Sequence, residues 1–410
     1  MEKHDIMRTT GEFSACNPGR FNRRNFFRLS ASALAGLAAT SPLISQEKVA
    51  DHKPVAQALP PPIETNVEEI KKIPRGPNSM PGKYPGKVIR VGTGNASAEG
   101  KLSPEKVREA VERGMAELTG EKDMKKAWQQ FVSTSDVVGI KVNPIGGSLL
   151  STKPEVVDVI IDGLLQAGVP KSNVIIWDRR HFQLLEAGFR PERFPGIQIL
   201  GTELKGPNNE FFDEKGDLWS KDNIDREALP YFADVEQKYD KETMPYMVNE
   251  GKNSYFTKIV TQKCTKIINV PILKNAGPTV TLCLKNLSYG SLSNTGRLHK
   301  LWLTSVTEPC AFPHLRDKVV LNIGDGLRAC YDGGPGANPK FIWDANVMFF
   351  GTDPVAVDAV GHDFIVKERM KRGVQQLDDK KRRAFLDLGA ELGLGIADLD
   401  KIQCREIELG

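Results

Sequence analysis

The feature that most restricts the fold of this chain is a series of short, nearly unbroken apolar runs separated by helix-length amphipathic stretches. The runs include "KVIRVG" (87–92), "DVVGIKVN" (136–143), "NVIIWD" (173–178), "GIQILG" (196–201), "CTKIINVPIL" (264–273), "KVVLNIGDG" (318–326) and "NVMFFG" (346–351). Between them lie helical patterns such as "SPEKVREAVERGMAEL" (103–118), with Ser103 at the N-cap and Pro104 in the first turn. "KPEVVDVIIDGLLQAG" (153–168) and "DPVAVDAVGHDFIVKERM" (353–370) read the same way, with Asp353 as the N-cap of the second. Strands covered on both faces are apolar throughout rather than alternating, and strands alternating with helices build parallel sheets. The expectation is an α/β fold, a mostly parallel sheet with helices on both faces.

Three segments stand outside this rhythm. Residues 1–45 contain adjacent arginines, Arg23 and Arg24, then Phe26 and Phe27, and an uncharged Ala/Leu/Ser-rich stretch from Leu29 to Ser45. A basic region before a modest apolar one is the pattern of a secretory signal, and the arginine pair resembles the twin-arginine type. This predicts export to the periplasm or beyond, with the twin-arginine translocase as partner. Residues 46–86 hold eight prolines and read as an extended linker or a surface strap. Residues 87–410 then form a single α/β domain, interrupted at about 202–258 by a long polar insertion of the kind that serves as a lid or an oligomer contact.

Charge and cysteine usage remove some functions. Of the formal charge of +4, residues 1–28 supply more than half, with six basic and three acidic side chains, so the remainder is nearly neutral. It has no basic run and no electrostatic footprint for nucleic acid. No stretch of twenty apolar residues spans a membrane. Cys264, Cys283, Cys310, Cys330 and Cys404 are scattered without a C-x-x-C, so this chain has no iron–sulfur motif, and their odd number excludes a complete disulfide framework. The glycines of "GDGLRACYDGGPGANP" read as turns, since they lack a dinucleotide or phosphate-loop context.

In an open parallel sheet, ligands bind beyond the carboxyl ends of the strands. The residues standing there are rich in Lys, Asn and Asp: Lys141 and Asn143, Asp178, Lys274 and Asn275, Lys285 and Asn286, and Asp325. Here "VTLCL" (280–284) is taken as one more buried strand, so that Lys274-Asn275 and Lys285-Asn286 become twin strand endings. Lysine supplies a point charge and asparagine a two-sided amide, which suits a small anionic ligand. Asp358 lies in the apolar helix "PVAVDAVG" and needs a partner or a proton; a nearby lysine is the expected one, in an ion pair or in a site. His362 follows one turn later on the same face. Asp358 with His362, and Cys310 with His314, are the candidates for a metal.

The strings "INVPILKN", "VTLCLKNLSYG" and "NTGRLH", with "DVVGIKVN", "NVIIWDR" and "GTDPVAVDAVG", resemble the motifs of the domain of unknown function 362 family, in order, over roughly residues 87–370. Members of that family often carry twin-arginine signals, and others are joined to ferredoxin-type domains. The resemblance points to Lys141, Asn143, Asp178, Lys274, Lys285, Asn286, His299, Asp353 and Asp358. Asn275-Ala276 stands where many members place a histidine, so a histidine-dependent activity here falls to His299 or is lost.

These readings lead to an exported enzyme for a small anionic or carbonyl-containing substrate. Lys274 and Lys285 hold or polarise the anion. Asn143 and Asn286 orient it, with Lys141, Asn275 and Asp325 lining the same site. His299, Asp178 or Asp358 handles protons or a metal. A redox-associated or metal-binding accessory protein and a plain solute-binding module are the alternatives; the cofactor, if any, stays open.

Overall fold

A computed structural model describes residues 63–236, 251–277, 279–374 and 379–410. The segment expected to be an export signal lies outside them. The strands of the main sheet are β1 (Lys87–Gly92), β2 (Val138–Val142), β3 (Val174–Arg180), β4 (Gln198–Glu203), β5 (Lys266–Val270), β6 (Ile272–Ala276), β7 (Thr279–Thr281), β8 (Val319–Cys330), β9 (Ile342–Trp343), β10 (Val347–Gly351) and β11 (Gln403–Glu408). Their order along the sheet is β11-β1-β10-β8-β5-β2-β3-β4, with β6 and β9 paired to β8 and β7 paired to β6.

The block β8-β5-β2-β3-β4 is parallel throughout. β10 reverses the direction, pairing antiparallel with both β8 and β1, and β11 returns to parallel beside β1. The reversal has a simple origin. β8 and β10 are joined by a connection that holds β9 and no crossover α-helix, and parallel neighbours need such a crossover.

Both faces of the sheet are covered. The helices α1 (Pro104–Thr119) and α2 (Pro154–Ala167) pack against Ile89, Val91, Val138, Ile140, Val142 and Ile268. The helices α3 (Cys283–Ser291), α4 (Pro354–Lys371) and α5 (Asp379–Glu391) lie on the other face, over Val88, Ile175, Trp177 and Ile267. Ser103 caps α1, accepting from the Lys106 N–H at 3.4 Å, with Pro104 following. Asp353 caps α4, accepting from the Ala356 N–H at 2.8 Å.

One expected strand is cut short. Only Thr279–Thr281 of the run "TVTLCL" is extended; the chain turns at Leu282 and enters α3 at Cys283. Asp358, on α4, is responsible. Its carboxylate accepts the N–H groups of Cys283 and Leu284, the latter at 3.0 Å, which satisfies donors that a helix start leaves unpaired. Lys285 and Asn286 therefore sit in the first turn of a buried helix and not at a strand end. The lysine partner expected for Asp358 is replaced by these two backbone amides.

From residue 63 on, the proline-rich segment is anchored at a few points and otherwise mostly exposed. Val67, Ile70 and Met80 are buried, and Arg75 donates to the carbonyls of Met80 at 2.7 Å and Leu392 at 2.6 Å. The insertion begins after β4, which runs to Glu203. It contributes Tyr231 and Phe256 to the core under α3 and bridges the strap at Thr65↔Ala233. Arg297 ties it down, donating to the carbonyls of Ala233 (2.8 Å) and Val235 (3.0 Å) and to Ser254 Oγ (2.8 Å).

Candidate functional site

Because Val138, Ile140 and Val142 face α1 and α2, strand alternation sends Lys141 to the other side, under α3. There its Nζ donates to Asp178 Oδ1 at 2.6 Å, to Asn286 Oδ1 at 2.9 Å and to the Val142 carbonyl at 2.7 Å. Burial drives the Lys141 ammonium down from its ordinary range, and Asp178 opposes that. The helix can come this close because residue 290 is glycine: a Cβ there would stand 2.1 Å from Lys141 Cε.

Asn286 is the hub. Its Oδ1 accepts from Lys141 Nζ and from Asn143 Nδ2 (3.1 Å); its Nδ2 donates to Asn269 Oδ1 (2.8 Å) and the Lys141 carbonyl (3.4 Å). That uses the full capacity of a primary amide. Asn269 donates onward to Asn322 Oδ1 at 2.9 Å, and Asn322 to the Thr352 carbonyl at 3.2 Å. These residues are in register across the sheet, with Lys141 opposite Asn269, Asn269 opposite Asn322 and Asn322 opposite Gly351. A polar row thus crosses four adjacent strands beneath the start of α3. On its other side Lys274 Nζ donates to Asn143 Oδ1 at 3.1 Å and to the Ile145 carbonyl at 3.0 Å. Burial pushes the Lys274 ammonium down to about 7.

Lys285 is treated differently from the other two lysines. Its side chain is buried, yet its Nζ has no hydrogen-bond partner. It lies 4.0 Å from the Trp302 ring centroid and 5.8 Å from that of Tyr289. The ring of His299 packs on both, at 4.8 Å from Trp302 and 5.3 Å from Tyr289, so three aromatic rings cluster on the side of the amine. Burial holds Lys285 well below the usual lysine range, and the charge of Lys274 pushes it the same way. Thr281 Oγ1 and Asn275 Nδ2 are also buried without a partner. Thr281 stands opposite Lys274 in the β6–β7 ladder.

The remaining expected site residues are placed elsewhere. Asp325 lies inside β8, accepting from the N–H groups of Lys153 (2.8 Å) and Leu327 (3.1 Å), and burial raises its carboxyl to about 6. Asp358 is occupied at the start of α3, and burial raises it to about 7. His362 is buried on α4. Cys310 Sγ points to the Leu284 carbonyl at 3.5 Å, whereas the His314 ring packs on Phe256. Among the described residues no group of three His, Cys, Asp or Glu converges as metal ligands, and the five cysteines after residue 45 are free thiols. A cavity of about 1050 Å³ lies on the insertion, lined by Asp217, Lys221, Asp225, Lys258 and His314 among others, apart from the lysines and asparagines of the polar row.

Sequence reasoning passed over Asn269, Asn322, Tyr289, Gly290 and Trp302. A signal for the first two was present: each is a lone amide inside an apolar strand run, "IINVP" and "VLNIG".

No curated protein matches the chain. A protein from Thermotoga maritima of known crystal structure aligns at 8% identity over 65% of this chain and 59% of its own, with a TM-score of 0.34. The chain therefore spans less than two thirds of the length of that structural relative. Residues 138–363 match the family described as a domain of unknown function, number 362. The match takes in more than half of the chain and every residue of the polar row, from Lys141 to Thr352. The protein is a member of the domain of unknown function 362 family.

Proposed function

We propose that this protein is an enzyme that binds a small anionic, carbonyl-containing substrate beside Lys274 and Lys285. One observation carries the reading: Lys285 Nζ is buried without a hydrogen-bond partner, next to a second buried lysine. Leaving a buried polar group unsatisfied costs about 1–3 kcal/mol, and such groups in native proteins concentrate at binding and catalytic positions. Lys141, Asp178, Asn143 and Asn286 satisfy one another and serve as the frame. Lys274 has one ammonium hydrogen beyond the two it gives to Asn143 and Ile145. His299 stands at the aromatic cover, where a proton can pass to solvent. We further propose that residues 1–45 direct export through the twin-arginine route.

Native mass spectrometry of the folded, exported protein tests the site reading, because it reports retained ligand, metal and assembly together. The expected result is an organic anion that is lost in Lys285→Ala while the fold is kept. Unchanged ligand binding in that variant would overturn the assignment.

A further inference from the structure

We infer that Lys285 is a covalent carbonyl-binding residue, its Nζ condensing with the aldehyde or ketone carbon of a small anionic substrate to form an imine. The inference rests on the proposed lysine site and adds the chemistry to it.

The three buried lysines divide by their surroundings. Lys141 has a carboxylate at 2.6 Å and is a structural cation. Lys274 has two oxygen acceptors and lies opposite the unpartnered hydroxyl of Thr281. Lys285 has no acceptor; an aromatic face lies against it, and the charge of Lys274 acts on it unfavourably. Burial without an acceptor disfavours the charged form of such an amine. A neutral amine is a poor anchor for an anion and a good nucleophile, and a desolvated lysine beside a second cation is a recurring way to prepare imine formation. The Trp302 indole over it is fixed by a 3.0 Å hydrogen bond from Nε1 to Thr279 Oγ1. Trp302 and Tyr289 are only partly buried, so the amine lies one side chain below the surface.

In the proposed step the Nζ lone pair adds to the carbonyl carbon. The C=O π pair moves to oxygen, which takes a proton from the Lys274 ammonium. The nitrogen then returns one proton to Lys274. The hydroxyl takes a second proton from the Lys274 ammonium, the C–O bond breaks with water as the leaving group as C=N forms, and the proton left on the iminium nitrogen returns to Lys274. One amine and one carbonyl give one imine and one water, and nothing is oxidised or reduced. The anionic end of the substrate is left to Lys274 and Thr281.

The test incubates the full chain at neutral pH with glyoxylate, pyruvate or 2-oxoglutarate, each with sodium cyanoborohydride, and maps adducts by peptide mass. The expected result is a single adduct at Lys285 with at least one of the three acids, reduced more than tenfold in Lys285→Arg. Mapping the unmodified sequence keeps the test valid even if that variant misfolds. Adducts spread over surface lysines, or none at Lys285 with all three acids, overturn the imine. If native mass spectrometry still shows the acids bound without covalent capture, the imine falls and the anion site stands; loss of both removes both.

Discussion

Lys141 Nζ and Asp178 Oδ1 meet at 2.6 Å in a place from which water is almost wholly excluded. Neither charge is tolerable there alone. Asp178→Asn leaves the ammonium without its counter-charge and is expected to lower stability by about 3–5 kcal/mol. Replacing both partners by apolar residues, as in Lys141→Met with Asp178→Leu, recovers much of that loss. Urea denaturation of the two variants decides the point. Equal losses for the single and the double variant would show that the pair is not what the site depends on.

Gly290 is required by contact and not by backbone conformation. A methyl group there must displace the Lys141 stem. Gly290→Ala is expected to cost about 1–3 kcal/mol through overpacking. Thermal scans should show a clear fall in Tm, and Gly290→Ser should fare no better. An unchanged Tm in the alanine variant contradicts the close approach.

Lys285 carries the opposite expectation. Since its amine is buried and unsatisfied, Lys285→Met is expected to raise stability by about 1–3 kcal/mol while abolishing ligand binding. A stabilising change that removes function is the behaviour of a site residue. A destabilised variant with intact binding would reverse the assignment.

Two pH windows follow from the buried groups. The Lys274 pKa falls from its ordinary 10.5 to about 7 in the fold, so between those values the unfolded chain binds the extra proton. Its contribution is present above the unfolded value and is lost as pH falls through about 7; stability from this group therefore rises from pH 7 towards 10. Asp358 moves the other way, raised to about 7 from 3.8. Its contribution is complete below the unfolded value and is lost as pH rises through about 7. Unfolding free energies measured from pH 4 to 10 should show both limbs. Lys274→Met is expected to flatten the upper one and Asp358→Asn the lower one.

Much of the architecture was legible because it is local. Unbroken apolar runs and capped helical periods are written in neighbouring residues, as with Ser103-Pro104 and Asp353-Pro354. The error at "VTLCL" has a different source. A short apolar run does not reveal its own conformation, and the choice of helix from Cys283 on depends on a carboxylate 75 residues later in the chain. The same dependence hid the character of the site. Lys274 and Lys285 end similar strings, yet one lies within a strand and the other in the first turn of a helix. Their side chains reach one region from different elements. The reversal at β10 was likewise invisible, because nothing in "NVMFFG" records the direction of its partners.

The saturated amide of Asn286 has a consequence for the order in which the chain acquires its structure. Each of its four hydrogen bonds goes to residues from strands β2 and β5 or the turn after β2, and the row continues to a carbonyl at Thr352. No fragment that stops before residue 352 can complete it. Half-finished, the row would bury donors without acceptors, which is worse than no row at all. A fully satisfied row therefore requires α3, strands β2, β5 and β8 and the Thr352 carbonyl together.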